Sequence, residues 1–270
     1  MAPPRDWFAQ LEKKVTKVAR DIRQKRQIKQ LFEAAKEVRK RQKDEKCYPT
    51  IPVTGIDTNE VEEFFKLKEI TMKDPEAWGI GPDDTVEVPA YLLESMRDEK
   101  EIFRRAPNKE ALNRVKIDTI LKAAWCIKRH DNVQAQLERN LRVDIPIDRP
   151  KKTVVGAVDY AVWYGRNAHD QAACICIIEA KKSDQDGFYQ ALSYMAMILN
   201  IRERDGCTRQ VVWGIATNAR NWCFIRLNPD RTYSSITLSL GRDELPEILT
   251  LLAAIMDQAA IISPVSSIAS

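Results

Sequence analysis

With 270 residues, 44% of them hydrophobic, the chain can bury one sizeable core and carry an appendage. Its formal net charge of +4 decides little, but the charge is unevenly placed: residues 1–46 hold 15 Lys and Arg against 7 Asp and Glu (+8), and residues 47–270 hold 28 against 32 (−4). Only His130 and His169 are present, the six cysteines form no Cys-x-x-Cys pair, and no Gly-rich phosphate loop occurs, which argues against His-ligated hydrolases, zinc sites and ATP-driven motors. No apolar run is long enough to span a membrane, and Met1–Asp6 has no hydrophobic signal region, so the expectation is an intracellular, cytoplasmic or nuclear protein with free thiols.

In chain order, residues 1–46 read as a basic amphipathic helical arm. Phe8, Leu11, Val15, Val18 and Ile22 alternate steps of three and four, and Ile28, Leu31, Phe32, Ala35 and Val38 resume the stripe after a polar gap. The heptad spacing lasts about two repeats, short of a coiled coil. Packing onto the domain and self-association through this helix therefore both stay open. Arg39-Lys40-Arg41-Gln42-Lys43 is a solvated run, a phosphate contact or a nuclear-import patch. Basic arms commonly bind nucleic-acid backbones. Residues 47–106, broken by Pro49, Pro52, Pro75, Pro82 and Pro89, read as a connector with short helices over Glu60–Leu67 and Pro89–Arg97. No chemistry is assigned to it.

Residues 107–262 carry the pattern of an α/β domain, a mixed central sheet flanked by helices, and residues 263–270 read as a tail. After Pro107 a helix is expected over residues 108–121, with Ala111, Leu112, Val115, Ile120 and Leu121 on its apolar stripe and Ile117 off it. Glu110, Arg114 and Asp118 recur at i, i+4 and i+8 on a polar face. A strand is expected over Leu141–Ile147. The next, Val154–Tyr160, is apolar apart from Asp159, and a polar turn around Gly165–Gln171 leads to Ile177-Ile178-Glu179-Ala180-Lys181. Asp159 and Glu179 are equidistant from His169, so a symmetric hairpin sets them opposite each other with Cβ atoms about 4.5–5.5 Å apart. Glu179 and Lys181 share one face. A helix follows, with Phe188, Ala191, Leu192, Met195, Ile198 and Leu199 as its buried stripe and Gln190 among its polar positions. Strands at 212–218 and 221–227 and a helix over 243–260 complete the series.

An Asp in an apolar strand, then Glu-x-Lys in the next, then a Gln-bearing helix and a strand pair resembles the PD-(D/E)xK nuclease superfamily. It is most similar to nuclease-like domains of fungal and oomycete proteins, including Crinkler-type effectors and killer elements. Val158 stands where the superfamily usually has Pro. The resemblance covers roughly residues 107–260. It implies a restriction-endonuclease-like core and hydrolysis of phosphodiester bonds, in DNA rather than RNA.

Hard oxygen donors on Asp159 and Glu179 suit Mg²⁺ or Mn²⁺. The resemblance implies the Ala180 carbonyl as a further ligand and an acid on the preceding helix, Glu110, as another contributor. Lys181 would orient water or offset charge in the transition state, and Gln190 would hydrogen-bond water or phosphate. Each residue also has a plainer account. Asp159 is then a strand acid paired with an arginine, Glu110 an ion-pair partner of Arg114, Glu179 and Lys181 a solvated strand end, and Gln190 a surface position. The rival function is a nuclease-fold protein without turnover, acting as a nucleic-acid-binding or effector-type interaction module.

Overall fold

The computed structural model describes residues 48–71, 85–106, 110–127, 133–145, 152–164, 174–180, 184–206 and 211–261, with Trp78 and seven positions between 28 and 36. In chain order the elements are β1 (Thr50–Pro52), a 3₁₀ turn (Val53–Gly55), α1 (Val61–Phe65), β2 (Lys68–Glu69), α2 (Ala90–Ile102) and α3 (Glu110–Ile127). There follow β3 (Val133–Ile145), β4 (Lys152–Tyr164), β5 (Cys174–Ala180), α4 (Asp184–Arg204), β6 (Val212–Thr217), β7 (Asn221–Leu227), β8 (Thr232–Ser239) and α5 (Leu245–Ile261). The arm lies almost wholly outside the described residues; those given between 28 and 36 are helical, with Leu31 exposed.

The eight strands form one mixed sheet in the order β1-β4-β5-β6-β7-β8-β2, with β3 on the other edge of β4. Pairing is parallel for β1–β4, β5–β6 and β8–β2, and antiparallel for the rest. Helices cover both faces, as a sheet apolar on two sides requires. One core unites α4, α1 and the 3₁₀ turn against the sheet; the other unites α2, α3 and α5. Every residue of β6 is buried, consistent with its central place.

Helix α4 is buried at each position from Ala191 to Leu199, not on one stripe alone. It lies so close to the sheet that a Cβ on Gly156 of β4 would come within 2.6 Å of the Tyr194 ring, and one on Gly214 of β6 within 2.2 Å of Met195 Sδ. Segment 48–71 belongs to this architecture instead of merely linking to it. It supplies β1 and β2, Tyr233 Oη donates to Glu62 Oε1 at 2.6 Å, and Arg231 Nη1 donates to the Phe65 carbonyl at 2.8 Å.

Two expectations need correction. The strand before the Asp159 hairpin begins at Val133, eight residues before Leu141, because its first half faces solvent with Gln134, Ala135, Gln136 and Leu137 and carries no apolar run. On α3 the buried face is Asn113, Ile117, Ile120, Ala123 and Ala124. Ile117 is therefore central, while Ala111 and Val115 are exposed.

Candidate functional site

The ladder between β4 and β5 pairs Tyr160 with Ile178, Ala161 with Ile177 and Val162 with Cys176. This is the register expected for a hairpin centred on residue 169, and the ladder ends one step short of Asp159 and Glu179. The register shifts at Val162 and Trp163, nearer the turn. Beyond Tyr160 the strands part, and the Asp159 side chain fills the opening: its Oδ2 accepts the Ala180 N–H at 2.8 Å. In extended backbone the N–H and C=O of one residue open to the same edge, so the Ala180 carbonyl belongs to that edge as well.

The pleat explains how a strand carboxylate reaches into the sheet plane. Val154 and Val158 join the α4 core and Gly156 lies under Tyr194, yet Tyr160 and Val162 join the opposite core while Ala161 and Trp163 return to the α4 side. In a regular strand Val158 and Tyr160 would share a face. On β3 the same reversal separates Leu141, Val143 and Ile145 from Val133. The ladder pairs Leu137–Tyr160 and Arg139–Val158 bracket Glu138 and Asp159, and Glu138 is left-handed with φ 49°. Such a backbone is costly for a residue with a Cβ. Irregularities of this kind re-aim side chains beside functional sites.

Glu179 is fully buried on the α4 side, and Gln190 Nε2 donates to its Oε1 at 3.1 Å. The same amide nitrogen lies 3.4 Å from Tyr194 Oη, which donates to the Ala157 carbonyl at 3.0 Å. Burial pushes the Tyr194 phenol up to about 12, with the charges of Glu179 and Asp159 adding to it. Gln190 is thus half-buried and engaged with the motif glutamate.

Arg114 makes both contacts of the plainer account, the ion pair with Glu110 and an arginine on Asp159, although the sequence did not single it out as the arginine that meets Asp159. Its Nη2 donates to Asp159 Oδ1 and lies 3.4 Å from Glu110 Oε1, while Nη1 lies 3.5 Å from Glu138 Oε1. Burial lowers its pKa, but the attraction of Asp159, Glu110, Tyr160 and Glu138 prevails and the value rises above the ordinary one. One turn along, Tyr160 Oη donates to Asp118 Oδ1 at 2.8 Å; burial and that bond raise the phenol well above its usual range. The polar face Glu110–Arg114–Asp118 therefore docks on the β3–β4 hairpin. The i, i+4, i+8 recurrence was the available signal.

Asp159, Glu179, Ala180 and Gln190 accordingly meet where β4 and β5 part, and Glu110 reaches Asp159 through Arg114. Lys181 lies outside the described residues. Among those described, no group of three or more His, Cys, Asp or Glu side chains is arranged to hold a metal ion, and no helix is long and apolar enough to cross a membrane. No family model matches the chain. No curated protein matches it either.

Proposed function

We propose that the chain is a metal-dependent nuclease of the PD-(D/E)xK type, hydrolysing phosphodiester bonds of DNA with little sequence preference. The observation that carries this reading is the meeting of Asp159 with the Ala180 N–H while the adjacent Glu179 is held by Gln190. These are the motif's acid, its Glu-x pair and its helical Gln. The order of α3, β3, β4, β5, α4, β6 and β7 accords with a restriction-endonuclease-like core.

The donor chemistry fits a small divalent cation. Mg²⁺ usually takes one or two protein carboxylates and completes its shell with water and substrate phosphate. Asp159 and Glu179 would supply the carboxylates, with the Ala180 carbonyl beside them and Glu110 at the rim. Each carboxylate oxygen has two lone pairs, so Asp159 Oδ2 keeps acceptor capacity beyond its bond to Ala180. When bound, Mg²⁺ or Mn²⁺ supplies Lewis acidity to the phosphoryl oxygen and the attacking water. Gln190 fixes the Glu179 carboxylate in orientation, and the Ala180 N–H does the same for Asp159. Lys181, next after Ala180, would orient the water and offset charge on the transition state.

A second reading, a nuclease fold without turnover that acts as a binding or effector-type module, is favoured by one contact: Arg114 on Asp159 Oδ1. Nicking of supercoiled plasmid separates the two. As a nuclease, wild type cuts with Mg²⁺ or Mn²⁺ and EDTA stops it. Asp159→Ala and Lys181→Ala each lower the rate by about 100-fold or more while circular dichroism stays unchanged. Cutting by those variants at the wild-type rate overturns the site. DNA binding by wild type without cutting under either metal supports the second reading.

A further inference from the structure

On the side of α3 away from Arg114, a chamber of about 410 Å³ opens between α2, α3, the β6–β7 turn and the end of β8. Its wall is apolar, with Met96 from α2, Phe103 at the C-terminal cap of α2, and Leu112 and Ile120 from α3. Around it stand four cations, Lys100 on α2, Arg104 in the turn after it, Lys116 on α3 and Arg220 in the β6–β7 turn, all exposed. Among the described residues of the lining the one acid is Glu99, which accepts the Thr119 hydroxyl.

We infer that this chamber binds a free single-chain amphiphile with an anionic head group. The size is that of small-molecule sites, about 300–1,000 Å³, which pair apolar walls with a few placed polar groups. Chain and head group match the two zones. Apolar carbons would take the wall between Phe103 and Ile120, and the head would meet the ring of cations, where charge-assisted bonds are the strong ones. Arg220 is anchored in its turn through its backbone. Its N–H bonds Asn218 Oδ1 at 2.9 Å, its carbonyl accepts the Leu240 N–H at 2.9 Å, and its guanidinium passes where a Cβ on Gly241 would lie 3.0 Å from Nη2. Charge also rules on the occupant: the arm of residues 1–46, at +8, is of the same sign as the rim. The inference is independent of the nuclease reading.

Titration of the full chain with decyl phosphate, decanol, decyltrimethylammonium and inorganic phosphate, each below its micellar range, tests it by calorimetry. Decyl phosphate is expected to saturate at one per chain. Decanol and inorganic phosphate should each bind at least about tenfold more weakly. The double variant K116E/R220E, altered only at exposed positions, should keep its melting temperature and lose about tenfold or more in affinity. Ile120→Trp, which fills the chamber, should abolish binding. No saturable uptake by wild type overturns the inference, as does equal affinity for the cationic amphiphile or unchanged affinity in K116E/R220E.

Discussion

At Asp159 a helix and a neighbouring strand share one carboxylate. Oδ2 takes the Ala180 N–H that the parting ladder leaves open, and Oδ1 takes Arg114. Asp159 is only 8% exposed, so an unpaired charge there would be expensive. Removing one partner of a buried ion pair costs about 3–5 kcal/mol. The Arg114 side chain is 35% exposed, so solvent screens part of this, and Arg114→Met should destabilise by about 1–3 kcal/mol. Urea unfolding measures it. On the nuclease reading, Mn²⁺ should restore part of the loss in the variant by binding the native carboxylates in mass-action fashion. Identical unfolding curves with and without Mn²⁺ would count against Asp159 as a ligand. The hairpin register that brings Asp159 to the Glu179-Ala180 step was legible from the equal spacing about residue 169, although the ladder itself ends at Tyr160 and Ile178. Arg114 was legible only in part: its recurrence with Glu110 and Asp118 marks a polar helix face, but nothing in that spacing says the face turns toward a strand.

Helix α4 and strand β4 depend on a missing side chain. Gly156 lies under the Tyr194 ring, and an added Cβ would meet Cε1 and Oη at 2.6 Å. Tyr194 is itself buried to 1% exposure and tied to Ala157 and Gln190, so it has little room to yield. Gly156→Ala should therefore cost about 1–3 kcal/mol through overpacking, seen as a lower thermal midpoint. An unchanged midpoint would mean that α4 is free to lift. The helices themselves were readable, since α2, α3, α4 and α5 each fall on an expected helix, although α2 and α3 run five and six residues past their expected ends. The face of α3 was misjudged for a physical reason. Ile117, Ile120 and Ala124 form a proper helical stripe, but the apolar Ala111, Leu112 and Val115 compete with it in the count. Strands β1 and β2, of three and two residues, are too short to carry any period, which is why segment 48–71 gave no sign of joining the sheet.

Across the whole molecule, segment 48–71 clasps the sheet at two distant strands. It sets β1 beside β4, the strand of Asp159, and β2 beside β8, with Arg231 and Tyr233 bonding back to α1. The chain before this clasp carries +8 and the remainder −4, so attraction for a polyanion is concentrated in residues 1–46. On the nuclease reading those residues contact backbone phosphate and the sheet supplies the site. Each phosphate neutralised contributes about −0.9 to the slope of log affinity against log salt on duplex DNA. If the arm covers only about four of them, deleting residues 1–46 should flatten that slope by about 3 to 4 and weaken binding most at low salt. Anisotropy of a labelled duplex at several salt concentrations reads both quantities. A slope unchanged by the deletion would show that the arm touches no phosphate, and the mildly acidic remainder would then have to hold DNA through local patches alone.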